Sequence, residues 1–213
     1  CKNYKKAINI LKSQEKFYKS GLVIEDCLNG SMYAIDGWIK DNKLIFGCLS
    51  KKYKDYPNSY LDKKIIFNYK NKYIEEKGKK LLSKCYETIK ATDVPVHFEF
   101  MKVKNLFYPI DIAIRGAGSF VYSYLLKKII NQSTANIQVN LQLKKDIFIN
   151  NNNKKIFYIY FIGGKINDSY NIRKSLKLIK KKIKYFFSYK ILNSNSDTSH
   201  KRSAVVFFYF NNQ

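Results

Sequence analysis

Three ionisable side chains in one short stretch have the types and spacing needed for phosphate chemistry. The stretch runs from Val96 to Phe120 and contains Glu99, Asp111 and Arg115. Paired carboxylates on a rigid sheet suit Mg²⁺ held against substrate phosphates. A planar guanidinium beside them suits the charge that develops in phosphoryl or acyl-phosphate chemistry. The stretch therefore predicts a candidate site for metal-assisted phosphoryl transfer.

The alternation of side chains around these residues predicts that a β-hairpin positions them. A polar turn at 104–105 separates two runs, whose apolar members are Val96, Phe98 and Phe100 in the first and Tyr108, Ile110, Ile112 and Ile114 in the second. Because strand side chains alternate between two faces, we expect an apolar face that packs inward. The opposite face would gather Glu99, Asp111 and Arg115, with His97 beside them. A solvated polar face without a ligand is the alternative that this pattern leaves open.

Two glycines follow the second run directly. Gly116 and Gly118 precede an apolar, helix-like segment from Phe120 to Ile130. Glycine has no Cβ, so it lets the backbone come close to a ligand. We therefore expect this turn to take part in binding.

These residues resemble the metal-binding end of the ATP-grasp enzymes. Members of that family have a strand with an acidic residue, then a strand of the form Glu/Asp-x-Asn/Ala-x-Arg and a glycine-rich turn. The matching residues are Glu99, Asp111, Ala113, Arg115 and the turn from Gly116 to Gly118. The resemblance implies that Glu99 and Asp111 bind Mg²⁺, or alternatively Mn²⁺. It also implies a catalytic role for Arg115 and ligand contacts at both glycines. Ala113 replaces an Asn that is a further metal ligand in many members.

A second match to the same family lies between Leu22 and Gly37. This run predicts two strands joined by a turn at 29–30, and the resemblance implies a hinge over the adenine of ATP. The residues implied in nucleotide binding are Glu25, Asp26, Cys27 and Leu28. The first would face the adenine or its amino group, and backbone groups of the other three would bind its Watson–Crick edge.

Two further positions bear on nucleotide binding. Met32 stands where the family commonly has a Glu that holds the ribose hydroxyls. The family often has Asp-Lys, or a similar basic pair, after the strand that ends the next hairpin. Lys52 matches the Lys of this pair, and Lys51 stands where the Asp would be. Lys52 could meet a phosphate as a point charge. A solvated lysine remains the alternative in a chain so rich in Lys.

Composition limits the function classes. The chain has 213 residues, 46% of them apolar, and a formal net charge of +24. Such a charge invites a nucleic-acid function. Only Arg115, Arg173 and Arg202 among the 40 basic residues are Arg, however, whereas base readout favours Arg. The scarcity of Arg therefore argues against nucleic acid as a partner. No apolar run approaches the ~20 residues of a membrane span, and no signal peptide is visible. We expect a cytoplasmic protein without a membrane partner, with its cysteines as reduced core residues.

The remaining patterns predict an α+β fold. Helices are expected over 2–18 and 73–90, the latter with Ile74, Leu81, Leu82, Cys85 and Ile89 on one apolar stripe. Two strand-like runs are expected between Asp146 and Gly164, then an amphipathic helix from Ile172 to Ile183 and two last strands. By the resemblance, 1–131 is the second ATP-grasp lobe, an antiparallel sheet with packed helices. A small αβ subdomain, 132–213, follows it.

The resemblance implies an ATP-dependent carboxylate–amine ligase that uses ATP and Mg²⁺. Its substrates would be small-molecule carboxylates and amines, and a homo-oligomer is compatible with the sequence. The upstream substrate domain and the first ATP-grasp lobe have no counterpart in these 213 residues, so we expect an incomplete and inactive portion of a larger enzyme. Two alternatives stay open: a non-catalytic relative, and a basic nucleic-acid-binding module.

Overall fold

The computed structural model describes residues 25–54, 62–118, 120–149, 155–163, 186–191 and 202–211, with isolated helical positions between 5 and 12 and between 174 and 178. The chain divides into two compact units, 1–30 and 31–213. The helices expected over 2–18 and 172–183 lie mostly outside the described residues, and their few described positions are helical.

The structure of the first unit differs from the hairpin predicted between Leu22 and Gly37. Residues 25–29 have no helical or strand structure, and Gly30 is a bend. The expected first strand is therefore wrong for 25–28, whereas 22–24 lie outside the described residues. The chain enters a strand only at Ser31. Glu25, Asp26 and Asn29 are residue types depleted in strands, and their order with Cys27 and Leu28 gives no alternation, which accounts for the difference.

The second unit is built on one antiparallel sheet. Its strands are β1 (Ser31–Lys40), β2 (Lys43–Lys54), β3 (Asp62–Phe67), β4 (Val94–Val103), β5 (Leu106–Ala113), β6 (Lys155–Gly163), β7 (Phe186–Ile191) and β8 (Arg202–Asn211). Within the described part of the chain these eight strands follow the order β5-β4-β1-β2-β3-β6-β8-β7. β3 pairs with β6, so strands from both sides of the predicted boundary at 131 share the sheet.

The turn between β1 and β2 shows why the chain reverses where it does. Asp41 and Asn42 both have positive φ angles, 48° and 58°. Two successive left-handed residues are typical of the tight hairpin turn whose twist matches that of the strands, and Asn and Asp tolerate this conformation best after Gly. The strands on either side of this turn pair as an antiparallel hairpin, with Lys40 opposite Lys43.

Helix α1 (Lys72–Ile89) covers one face of the sheet, called here the α1 face. The Asn71 side chain caps the helix by accepting a hydrogen bond of 3.0 Å from the amide of Ile74. The buried stripe of α1 is Ile74, Gly78, Leu82 and Tyr86. The stripe expected from the sequence is wrong at Ile89, which is 43% exposed. Gly78 was not expected there. A Cβ on Gly78 would come within 2.5 Å of the Phe100 ring.

The opposite face, called here the α3 face, packs against a second group of helices. A π-helical segment, Val121–Leu126, continues into the short helix α2 (Lys127–Ile130), and α3 (Thr134–Gln142) follows. Their apolar side chains pack with those of the sheet in one core, which includes Trp38, Phe67, Leu125, Leu141, Phe157 and Phe207. The strand expected just after Asp146 is wrong, because 146–149 have no regular structure. No helix among the described residues is long and apolar enough to cross a lipid bilayer.

Candidate functional site

The hairpin of β4 and β5 brings the two predicted metal ligands together. Glu99 and Asp111 are direct partners in the antiparallel register. Directly opposed residues project to the same side of a sheet, with Cβ atoms about 4.5–5.5 Å apart. β5 is an edge strand and Asp111 is exposed, whereas only 19% of the Glu99 side chain is exposed. The pair therefore combines one held carboxylate with one open to solvent.

The apolar side of this hairpin differs from the prediction. The register shifts between Glu99 and Phe100, so that Pro109 pairs with Phe100 and Ile110 has no direct partner. An extra residue of this kind breaks the alternation of a strand. Ile110 and Ile114 are 43% and 50% exposed. The expectation of a fully apolar inward face is wrong at these two residues.

The described hydrogen bond of Arg115 involves neither of the two carboxylates. Its guanidinium donates a hydrogen bond of 3.0 Å to the carbonyl oxygen of Gly116. The residue is exposed, and it forms no ion pair with Glu99 or Asp111 in the described structure. A guanidinium has five N–H donors, so most of the Arg115 donors face solvent.

The two glycines of the turn differ in their surroundings. A Cβ on Gly116 would lie 2.3 Å from the ring of Tyr122, whereas a Cβ on Gly118 would meet nothing within 4 Å. Tyr122 is itself held, because Trp38 donates to its hydroxyl (3.2 Å). That hydroxyl donates in turn to the carbonyl of Thr134 (3.3 Å). Gly116 is thus required for packing, and only Gly118 offers open backbone.

Glu99 belongs to a polar cluster, defined here as Asp36, Lys52, Asp62, His97 and Glu99. The Nδ1 and Nε2 atoms of His97 lie 2.7 Å from Asp36 Oδ1 and 3.0 Å from Glu99 Oε1. The ammonium of Lys52 bonds the same Oε1 atom. It also lies 3.6 Å from Asp62 Oδ2. The cluster therefore alternates acidic and basic groups along one chain of contacts.

These contacts shift two protonation equilibria. Burial alone would lower the pKa of His97, but hydrogen bonds to Asp36 and Glu99 outweigh burial and raise it to about 9. Burial alone would raise the pKa of Glu99, but the hydrogen bond from His97 and the charge of Lys52 outweigh it and lower that pKa to about 2. At neutral pH the imidazole is therefore a cation and Glu99 a carboxylate.

The carboxylates of Glu99 and Asp111 suit a divalent cation that takes most of its ligands from phosphates and water. Within the described part of the chain, no three or more His, Cys, Asp or Glu side chains are arranged to hold a metal ion. Mg²⁺ needs only one or two carboxylates when phosphates and water complete its octahedron. Lys52 and His97 bond only Oε1 of Glu99, so neither engages Oε2. Asp111 is open, and Ala113 adds no polar atom.

The predicted adenine-binding residues belong to the first unit. Glu25, Asp26 and Cys27 are exposed and Leu28 is half-buried, and their roles stay predictions. Cys27 is a free thiol on the surface, so the expectation that it is a core residue is wrong. Cys48 is a free and buried cysteine, as expected, and burial raises its pKa well above the usual range.

Sequence reasoning missed Asp36 and Asp62. Asp36 is 2% exposed and lies directly opposite His97 in the pairing of β1 with β4. Its only local signal is a carboxylate within an apolar strand, since a buried acid requires a partner. Asp62 begins β3 after residues outside the described part of the chain, and no pattern in the sequence marks it.

Comparisons with known proteins bear on the fold. No family model matches the chain, and no curated protein matches it by sequence. Among solved structures, it superposes on the L-amino acid ligase from Bacillus licheniformis with a TM-score of 0.75 at 13% identity, over 99% of this chain and 56% of that one.

The chain has an ATP-grasp fold. Phosphoribosylglycinamide synthetase from Anaerococcus prevotii matches with a TM-score of 0.63 at 10% identity, over 99% of this chain and 56% of that one. N5-carboxyaminoimidazole synthetase from Staphylococcus aureus, complexed with ADP, matches with a TM-score of 0.64 at 14% identity, over 88% of this chain and 47% of that one. The chain thus spans about half the length of these proteins. The predicted α+β class is confirmed.

Proposed function

We propose that this chain is the ATP- and Mg²⁺-binding portion of an ATP-dependent ligase. The ligase activates a carboxylate as an acyl-phosphate for attack by an amine or a similar nucleophile. The observation that carries the proposal is the direct pairing of Glu99 with Asp111 on the sheet of an ATP-grasp fold. The similar solved structures are an amino acid ligase and two synthetases, one of them in complex with ADP, and these names support the reaction class.

Glu99 and Asp111 are the residues that hold Mg²⁺ in this proposal. The bound cation supplies charge neutralisation for the nucleotide phosphates. Glu99 contributes a carboxylate already oriented by its contacts with His97 and Lys52, and Asp111 contributes one that faces solvent. The asymmetry suits a site in which one ligand is fixed and the other closes onto the bound metal.

Arg115 and Gly118 serve the transferred group. The exposed guanidinium of Arg115 has donors free of its local bond to Gly116 and stabilises the phosphoryl group and the acyl-phosphate. The substrate carboxylate attacks the terminal phosphorus of ATP, whose bond to the bridging oxygen breaks as ADP leaves. The amine then attacks the acyl carbon, phosphate leaves with the bonding pair, and the nitrogen loses a proton. Open backbone at Gly118 suits contact with the acceptor carboxylate.

We propose for Lys52 a role other than the expected phosphate contact. Its ammonium bonds Glu99 and approaches Asp62, so it can contact a phosphate only by leaving the polar cluster. We propose that it first neutralises Glu99 while no metal is bound. The hinge residues Glu25 to Leu28 remain the proposed adenine site.

A non-catalytic ATP-grasp relative is the second candidate. The observation in its favour is that Glu99 already has two cationic partners, Lys52 and His97. Ala113 and Met32 add no polar ligand where the family pattern has one. Such a relative would bind ATP without dependence on a divalent cation, or would not bind it.

Equilibrium dialysis of radiolabelled ATP against the 213-residue chain, with and without Mg²⁺, tests the proposed function. We expect binding that requires Mg²⁺ and that D111N weakens tenfold or more. Glu76 is a matched control, because it is an exposed acid on α1 whose only described ion pair is with Lys72 at 3.9 Å. E76Q should change the affinity less than twofold. No binding, or binding that neither Mg²⁺ nor D111N alters, would contradict the proposal.

A further inference from the structure

We propose that His97 and Asp36 are positioning residues that preorganise Glu99 as a metal ligand, an inference that rests on the proposed function. The imidazole bridges the two carboxylates, with both ring nitrogens directed at carboxylate oxygens. A ring held at both ends cannot turn without breaking a charge-assisted hydrogen bond. His97 therefore transmits the rigidity of the buried Asp36 to Glu99.

The register of the sheet places these three residues in two adjacent rows on the α3 face. Asp36, His97 and Ala113 are successive partners across β1, β4 and β5. Ala34, Glu99 and Asp111 form the next row. Because the methyl group of Ala113 offers no hydrogen bond, the imidazole directs both nitrogens to the carboxylates. The rows thus bring the dyad of Asp36 and His97 directly beside the carboxylate pair.

Burial makes this support rigid. Asp36 is 2% exposed and His97 is 9% exposed, so neither contact competes strongly with water. A solvent-exposed glutamate would have to lose side-chain freedom on binding a cation, and a ligand that is ordered beforehand avoids that loss. Partners of this kind behind a metal ligand commonly change metal affinity by about 10- to 100-fold.

The different contacts of the two Glu99 carboxylate oxygens support the same positioning role. His97 and Lys52 both bond Oε1 of Glu99, and the direct neighbour of Glu99 on the edge strand is Asp111. Fixing Oε1 sets the plane of the carboxylate and with it the direction of Oε2. His97 and Asp36 touch neither nucleotide nor metal in this account. They act through Glu99.

Binding of Mn²⁺ alone, measured by the EPR signal of the free ion, tests the inference. We expect D36N and the double variant D36N/H97Q to weaken Mn²⁺ binding at least fivefold while circular dichroism shows a folded chain. The double variant removes the buried charge together with its partner, so it folds even where H97Q alone does not. A merely structural role would lower the melting temperature without changing the Mn²⁺ affinity of the folded protein.

Ser50 provides the matched control. It is buried, belongs to the row of Glu99 through Ala34, and its Oγ has no hydrogen-bond partner among the described residues. S50A should leave Mn²⁺ affinity within twofold. If the unaltered chain binds Mn²⁺ and both dyad variants bind it equally well, the inference is wrong and the proposed function stands. If the unaltered chain does not bind Mn²⁺ without nucleotide, the inference is wrong, and the dialysis of ATP with and without Mg²⁺ decides the proposed function separately.

Discussion

Glu99 and Asp111 face each other across the β4–β5 hairpin, yet they differ in environment. Glu99 is bonded by His97 and Lys52, while Asp111 is exposed at the edge of the sheet. A metal site built from one fixed and one free carboxylate predicts unequal effects of mutation. Changing Asp111 should affect binding alone, whereas changing Glu99 should affect binding and stability together.

Stability should fall as the pH rises from near neutral. The folded-state pKa of His97 is about 9, above its usual 6.5. Its contribution is therefore complete below pH 6.5 and is lost as the pH passes through 9. The loss is on the order of 3 kcal/mol. Urea denaturation between pH 6 and 10 measures it. H97Q should remove this part of the decline. An equal decline in H97Q would contradict the assignment.

Stability should fall at the acidic end for the opposite reason. The pKa of Glu99 is lowered from its usual 4.5 to about 2. Its contribution is therefore present above pH 4.5 and is lost as the pH falls through 2. E99Q should flatten the profile below pH 4.5, as followed by urea denaturation at fixed salt. E76Q, which changes an exposed acid, should leave the profile unchanged.

Lys52 should control the protonation of Glu99. Because K52M removes one of the two cationic partners of Oε1, we expect the pKa of Glu99 to rise toward its usual value. Only 11% of the Lys52 side chain is exposed, so the free energy of unfolding should fall by about 1–3 kcal/mol because Glu99 loses a hydrogen-bond partner. Site-specific ¹³C NMR titration of the Glu99 carboxyl measures the first effect. Lys51 on the same strand contacts the rings of Tyr33 and Tyr53 instead, and K51M should leave the Glu99 pKa unchanged.

The two glycines of the turn should respond differently to alanine. A Cβ at Gly116 would overlap the Tyr122 ring, and one at Gly118 has open space. G116A should lower the free energy of unfolding by about 1–3 kcal/mol, whereas G118A should change it by less than about 0.5 kcal/mol. Chemical denaturation of both variants, with Trp38 fluorescence as the signal, compares them. Equal stability of the two variants would contradict the packing role of Gly116.

Arg115 should matter for binding and not for folding. Its one described hydrogen bond joins it to the adjacent Gly116, so R115A should change the free energy of unfolding by less than about 0.5 kcal/mol. The affinity for ATP in the presence of Mg²⁺ should fall several-fold, because an exposed guanidinium is lost from the proposed phosphate site. Unchanged ATP affinity in a folded R115A chain would remove Arg115 from the proposed site.

Local pattern was enough to predict the hairpin that holds the site. Period-two alternation gave both strands, and the acids at 99 and 111 fell opposite each other as expected. The bulge beside Glu99 was not predicted, although Pro109 adjoins the extra residue Ile110 and proline within a sheet is found mainly on edge strands and at bulges. The exposure of Ile110 accompanies the bulge. The tight contact of Gly78 with Phe100 was equally invisible, since it depends on how closely α1 approaches the sheet.

The polar cluster required the tertiary structure. Asp36 meets His97 only because β1 lies beside β4, although a long stretch of sequence separates them. Lys52 was singled out from the sequence for a phosphate, but the register of β2 directs it to Glu99. A residue type can be predicted as functional from its neighbours in sequence. Its partner across a sheet depends on strand order, which the sequence pattern did not determine.

Paramagnetic broadening by Mn²⁺ in the presence of ATP tests the central claim most directly. Residue-resolved ¹⁵N–¹H spectra of the 213-residue chain are recorded while Mn²⁺ is added well below one equivalent. We expect amide signals around Glu99 and Asp111, from 97 to 101 and from 110 to 113, to lose intensity first, and D111N to abolish this selectivity. Broadening centred on the acids of α1, Glu75 and Glu76, or spread evenly over the chain, would contradict it.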